Sequence, residues 1–177
     1  MEMNRQIDFK KIESPVGTLN VAATEDGICW LDFADKPTAD KRMEAFAKKL
    51  KASITQNNNL HINELETQLK AYFEGKRKEF TVKLFITGTP FQKEVWAALQ
   101  AIPYGVTRSY KEQSTAIGLP KAVRAVANAN GMNPVSIVVP CHRVIGSNGQ
   151  LTGYGGGLWR KKILLELESR YASIFIP

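Results

Sequence analysis

The chain is poor in the residues that staple small proteins. It holds two cysteines, Cys29 and Cys141, and two histidines, His61 and His142, in 177 residues. That excludes a disulfide-dense scaffold; in a reducing compartment the two thiols are expected to be free. One Cys and one His in each half do not make a metal site. No apolar run approaches the ~18–20 residues a membrane helix needs, so no bilayer span is expected. The opening MEMNRQIDFKKIES lacks the apolar core of a secretory signal, which points to a cytoplasmic protein, or a nuclear one in a eukaryote. The length suits one or two domains and buries enough surface to fold unaided.

Acidic residues are scarce in the second half. Residues 1–85 carry 14 basic and 13 acidic side chains, a net of +1, whereas residues 86–177 carry 10 and 4, a net of +6. No acidic residue lies between Glu112 and Glu166, a gap that contains Lys121, Arg124, Arg143, Arg160, Lys161 and Lys162. Such an uncompensated positive field suits a polyanion; solubility alone is the competing explanation.

What is present reads as two units meeting near Gly88-Thr89-Pro90. In the first, IDFKKIE, TLNVAAT and ICWLDFA are strand-like runs separated by turn signals, which predicts an antiparallel meander. ADKRMEAFAKKLKA follows, with Met43, Phe46, Ala47 and Leu50 on one helical face. Asn63 is expected to cap NELETQLKAYFEG, with Glu66 in the capping box and Gly75 as the stop, before a further strand, EFTVKLF. No chemistry is evident in this half, and Cys29 reads as a buried inert thiol.

The second unit is helix-rich. Thr89 caps a helix with Pro90 first and Gln92 reciprocating. Ser109 caps YKEQSTAIG with Glu112 in the box position. Gly118-Leu119-Pro120 then turns the chain into KAVRAVANAN. Two short helices about such a turn form a helix-turn-helix pattern. Ala122, Ala125, Ala127 and Ala129 give the second helix little bulk, suited to close approach to DNA or simply to packing, and Arg124 is its long basic side chain.

Residues 133–146 carry the reactive pattern. Ser136–Val139 reads as a short buried strand ended by Pro140. Cys141, His142 and Arg143 follow at a turn. A nearby imidazole and guanidinium would favour the thiolate over the ordinary thiol of pKa ~8.5. A carboxylate is needed to orient the imidazole, and this half offers Glu94, Glu112, Glu166 and Glu168. A hairpin is expected at Asn148-Gly149. Four glycines at 153 and 155–157 surround Tyr154 as a loop whose backbone approaches something flat. The closing helix WRKKILLELESR reads as amphipathic and brings Glu168 to its inner or end face.

The segment PVSIVVPCHRVIGSNGQLTGYGGGL, with IPYG, SY, KAVRAVANAN and NPV upstream, resembles the methylated-DNA–protein-cysteine methyltransferases, the O6-alkylguanine-DNA repair family. The likeness is dense from Thr89 to Glu168. It implies a ribonuclease H-like α/β N-terminal domain (antiparallel sheet plus helices, 1–85). A mostly α, winged-helix-like domain follows, for DNA binding and alkyl acceptance (89–170), then a tail (171–177). By resemblance Cys141 is the methyl acceptor, His142 the base acting through a water, Glu168 its carboxylate, Asn133 a brace and Tyr110 a proton donor to the departing guanine. Arg124 is the finger that replaces a flipped nucleotide, with Lys121, Ser109, Ala125, Ala127 and Arg143 on the DNA side. Tyr154, Gly155, Gly156, Val144 and Ser147 line the substrate pocket.

The implied reaction is a single irreversible transfer from O6-alkylguanine in duplex DNA, with O4-methylthymine a further candidate. It requires minor-groove binding, base flipping, no cofactor and a monomer. Gly155 stands where some relatives have serine, so a backbone N–H would replace a hydroxyl. Only Cys29 and His61 remain where some relatives bind zinc, so no zinc is expected. The competing readings are a Cys-His hydrolase, a non-enzymatic sensor of alkylated bases and a helix-turn-helix transcription factor.

Overall fold

The computed structural model describes residues 5–174. β1 (Arg5–Ile12), β2 (Leu19–Thr24) and β3 (Gly27–Phe33) form the expected meander, each antiparallel to the next. A fourth strand, β4 (Ala52–Thr55), adds parallel to β1, giving the order β3-β2-β1-β4. The connection is α1 (Ala39–Lys49), which buries Ala39, Met43 and Ala47 against one face. α2 (Leu60–Phe73) covers the other face with Ile62, Leu65, Leu69 and Tyr72. It starts earlier than the sequence suggests. Asn59, not Asn63, is the cap, its side chain accepting from His61 N and Ile62 N. Taking Ile62 into the helix lengthens the buried stripe by a turn, which outweighs the Asn63–Glu66 signal.

EFTVKLF is an extended strap, not a strand. It bonds the β3 backbone only around Ile28, through Ile28 N→Lys83 O and Phe85 N→Ile28 O, both 2.8 Å. Upstream, the Gln68 side chain takes the Thr81 backbone N–H at 2.9 Å and so competes with any ladder.

The second half contains α3 (Pro90–Gln100), β5 (Arg108–Ser109), α4 (Tyr110–Ala116), α5 (Val123–Gly131), β6 (Val144–Ile145) and α6 (Leu158–Tyr171). The capping boxes Thr89/Gln92 and Ser109/Glu112 both form. The predicted hairpin does not. β6 pairs in parallel with β5, and Gly146–Gln150 closes as a turn of its own through Gly146 N→Gln150 O at 2.9 Å. Residues 175–177 of the expected tail lie outside the described residues.

One apolar core runs through both halves, from Leu31 and Phe33 of β3 to Val95, Leu99, Val135, Val139 and Leu164. β3 is the edge strand of its sheet, and its free edge is used. Leu31 N donates to Pro134 O at 2.9 Å and Ser136 N donates to Leu31 O at 2.8 Å. Pairing covers an exposed edge and fixes the segment leading to Cys141.

Candidate active site

The approach to Cys141 is a buried turn where a strand was expected. Ile137 has φ +71° and Val139 N folds back to Val135 O at 3.0 Å. Asn133 intercepts the backbone: its side chain donates to Val139 O (2.7 Å) and accepts from Val135 N (3.0 Å). The β-branched run marks burial here, not a ladder, because those backbone groups are already occupied. The same Asn133 amide donates to Cys141 Sγ at 3.2 Å.

Cys141–Arg143 is a single 3-10 turn. Successive side chains on such a turn point about a third of a circle apart. Cys141 is left partly exposed, while His142 and Arg143 point inward at α6 and are buried. There they meet Glu168. Its carboxylate accepts from His142 Nε2 (2.8 Å), Arg143 Nε (2.8 Å) and Nη2 (3.0 Å), Tyr72 hydroxyl (2.8 Å) and Gly105 N (3.1 Å). Burial alone would raise the pKa of Glu168, but the hydrogen bonds of His142 and Arg143 carry it well below the usual carboxylate range. Burial pushes the His142 imidazole down, against the pull of Glu168, so the ring is neutral at pH 7. With Nε2–H given to Glu168, Nδ1 carries the lone pair and has no hydrogen-bond partner among the described residues.

Two expectations change here. Arg143 was placed toward DNA; it is 7% exposed, its fork closed on Glu168 and its Nη1 on Ile102 O. Nor do His142 and Arg143 hold the sulfur ionised. Burial pushes the Cys141 thiol up; Asn133, Lys161 and Lys36 pull it back, and Asp32 raises it further. The resting group is therefore a thiol.

Lys161 was not singled out from the sequence. It is fully buried, its Nζ donating to Val144 O and to Thr152 O (2.6 Å) and lying 5.8 Å from the Tyr110 ring. Burial lowers its pKa to about 8, and the neighbouring Cys141 opposes that fall. The signal was periodicity: Lys161, Leu164 and Glu168 are spaced i, i+3, i+7 on the buried face of α6. Tyr72 carried no comparable signal.

The glycine loop stands over the same place. Tyr110 hydroxyl donates to Thr152 O (3.1 Å) and Gly153 O (3.2 Å). A Cβ at Gly153, whose φ is +63°, would lie 2.7 Å from that hydroxyl, so glycine is required twice over. Burial raises the Tyr110 pKa and Cys141 raises it further. The Tyr154 hydroxyl is buried with no partner among the described residues. Its ring meets Phe33 edge-on at 6.1 Å. Val144 is buried and offers its carbonyl to Lys161, whereas Gly155 and Ser147 are exposed on the surface.

On the helix pair, Gln113 and Asn130 exchange amide hydrogen bonds of 3.0 and 2.7 Å, and Trp96 Nε1 donates to Ala129 O at 2.8 Å. α5 is thereby locked with Arg124 and Ala125 exposed and Ala127 half-buried, and Lys121 is exposed in the turn before it. Ala129 faces the core instead of the surface. Ser109 is occupied as the cap of α4. Cys29 is remote from this chemistry in a buried cluster with Trp30 and Met43, its pKa pushed up to about 12 by burial.

Residues 7–86 match the 6-O-methylguanine DNA methyltransferase ribonuclease-like domain, and residues 90–170 match the DNA binding domain of the same family. A methylated-DNA–protein-cysteine methyltransferase of Mycolicibacterium paratuberculosis is 46% identical over 166 residues, 94% of each chain. The crystal structure of the Mycobacterium tuberculosis O6-methylguanine methyltransferase superimposes with a TM-score of 0.82 at 42% identity, covering 96% of this chain and 97% of that one. A structure of the same organism's protein in complex with DNA gives 0.80 at 43% identity, covering 94% of each. Sequence and fold agree: the chain belongs to the 6-O-methylguanine DNA methyltransferase family.

Proposed function

We propose that this protein repairs DNA by direct reversal, moving the alkyl group of O6-alkylguanine in duplex DNA irreversibly onto its own Cys141. The observation that carries the reading is the partly exposed Cys141 thiol beside a neutral, Glu168-anchored imidazole whose second nitrogen is free of protein partners. A methyl on guanine O6 lies within the base stack, so the nucleotide must be extruded at a cost of a few kcal/mol. Arg124, on the exposed face of α5, fills the gap from the minor groove, and the small Ala125 lets the helix approach. Lys121 and the basic half of the chain meet the phosphates.

The flipped base enters beneath the Tyr154 loop. The Cys141 proton passes through a water to His142 Nδ1, and Glu168 stabilises the imidazolium. The sulfur attacks the methyl carbon in line; the carbon–oxygen bond breaks as the sulfur–carbon bond forms. The electron pair left on guanine is met by the proton of Tyr110, whose raised pKa keeps it protonated until then. The thioether so formed has no labile bond, and the other thiol, Cys29, is buried in the first half. One chain therefore performs one transfer, as a monomer and without a cofactor.

The test is intact mass after incubation with duplex containing O6-methylguanine. A gain of one methyl per chain, abolished in Cys141→Ser, is expected. More than one product per chain would overturn the reading in favour of a hydrolase.

A further inference from the structure

Every group assigned to the transfer lies in the second half of the chain, yet one hydroxyl of the first half reaches the reactive centre. Tyr72 stands in the last turn of α2 and is fully buried. Its ring packs against Phe73 and Phe80, each with ring centres 5.3 Å away, and meets Tyr104 edge-on at 6.0 Å. A phenylalanine ring would fill that place equally well. What tyrosine adds is the hydroxyl, which points out of the cluster toward α6 and donates to Glu168 Oε1 at 2.8 Å.

That oxygen is crowded. Glu168 Oε1 accepts from His142 Nε2 (2.8 Å) and Arg143 Nη2 (3.0 Å) as well as from Tyr72, whereas Oε2 takes Arg143 Nε and Gly105 N. A carboxylate oxygen has two lone pairs, so the phenol and the imidazole draw on the same ones. Tyr72 is a donor only: burial, and then the charge of Glu168, push its phenol well above the ordinary value, and it stays protonated. Charged and titratable groups face the His142 ring from several elements. Cys141 and Arg143 flank it in its own turn, and Glu168 and Lys161 come from α6. Tyr104, before β5, and Tyr154, in the glycine loop, both lie in the field of Glu168. Glu168 favours the charged ring, whereas burial, Arg143 and Lys161 oppose it. A donor that takes up part of the Oε1 charge therefore acts on the side of the neutral ring.

We propose that Tyr72 is a positioning residue for the methyl transfer, supplied by the first half of the chain: its hydroxyl shares Glu168 Oε1 with His142 Nε2 and so keeps the imidazole neutral, with Nδ1 open to the thiol proton. The idea rests on Cys141 being the acceptor and His142 its base. Without the hydroxyl, the full charge of Oε1 falls to His142 and Arg143. The ring then holds a proton of its own more readily at rest, and a ring already protonated takes none from Cys141. Once the pH is high enough to keep the ring neutral, the stronger base is no slower.

The experiment titrates the imidazoles of the full chain by nuclear magnetic resonance of isotope-labelled histidine. The chain has two, His61 and His142, and His61→Gln assigns the signals. Single-turnover transfer from duplex containing O6-methylguanine is measured over the same pH range. Tyr72→Phe keeps the ring and removes the hydroxyl. It is expected to raise the His142 midpoint by about half a pH unit, making transfer about three-fold slower on the acid side of the profile and no slower at high pH. A tyrosine fluorinated beside its hydroxyl, placed at position 72, is a stronger donor of nearly the same shape and should move the midpoint down. It decides the matter if Tyr72→Phe fails to fold. An unchanged His142 midpoint in a folded variant overturns the proposal. So does slowing by one factor at every pH, which marks a mere staple between the two halves. An equal shift in Tyr104→Phe overturns it too, because that hydroxyl has no partner among the described residues and the core would then be responsible. Methyl transfer persisting in Cys141→Ser would sink the acceptor assignment alone, since the titration is read without DNA.

Discussion

Phe33 occupies the space that any side chain at position 156 would need. A Cβ on Gly156 would fall 2.3 Å from the Phe33 ring. The ring is fully buried on β3, flanked by Arg160, and cannot yield. The sheet of the first half thereby dictates the path of the loop that covers the reactive thiol, and it does so by sterics.

Gly156→Ala is therefore expected to lose about 1–3 kcal/mol of stability through overpacking and to slow methyl transfer. Phe33→Leu in the same chain should recover part of the loss. Thermal unfolding and single-turnover rates on the four variants of the cycle measure the coupling. Strict additivity would contradict the contact.

Glu168 anchors five donors from four residues. Its folded pKa lies below its unfolded value of ~4.3, so its contribution to stability is full above that value and is lost as pH falls toward the folded pKa. Glu168→Gln keeps the shape but removes the charge that pairs with buried Arg143. The expected cost is about 3–5 kcal/mol in urea unfolding at neutral pH. The gap between the parent and this variant should narrow below about pH 4. A gap that stays constant down to acid pH would show that the charge carries none of the stability.

Much of this was legible in the sequence, and the losses have physical causes. Capping boxes at Thr89 and Ser109 are local chemistry, and both form as read. Cys141 and His142 are neighbours in one local pattern, whereas Glu168 and Asn133 were expected beside them from the family resemblance; the structure brings Glu168 to His142 and Asn133 to Cys141. The Ser136–Val139 run fails as a strand because burial and laddering give the same β-branched signal, and only the reach of Asn133 separates them. Arg143 fails as a DNA contact because charge in a sequence does not say which way a 3-10 turn faces. Tyr72 and Phe33 were missed because their contacts cross more than ninety residues of chain, where neither spacing nor composition reports.

The two thiols offer a test of burial. Cys29 is fully buried with its pKa pushed up to about 12, whereas Cys141 is partly exposed and opposed by two ammonium groups. Native protein treated with a small alkylating reagent at mild pH should gain one label, at Cys141, and unfolded protein two. Peptide mapping decides the position. Equal labelling of Cys29 in the native state would contradict the buried cluster around it.

Arg124 separates binding from chemistry. Its side chain is exposed on α5 and appears in no described contact with the Cys141 site. Arg124→Ala should leave iodoacetamide reactivity of Cys141 as in the parent but slow transfer from duplex DNA by an order of magnitude or more, a loss of about 1.4 kcal/mol for each factor of ten. The free modified base, already outside a helix, should react equally with both proteins. A matching loss on the free base would place Arg124 in the chemistry and remove it from base extrusion.

His142 makes the sharpest claim. Because the thiol is protonated at rest, something must take its proton, and the only acceptor nitrogen left to His142 is Nδ1. His142→Ala should therefore lower the transfer rate about a hundred-fold or more at neutral pH, the usual yield of general-base catalysis. Hydroxide can do the same work, so the deficit should shrink as pH rises through the thiol titration, provided circular dichroism shows the variant folded. A deficit equal at all pH values would mean that His142 only fills space beneath Glu168, and that the proton leaves Cys141 by another route.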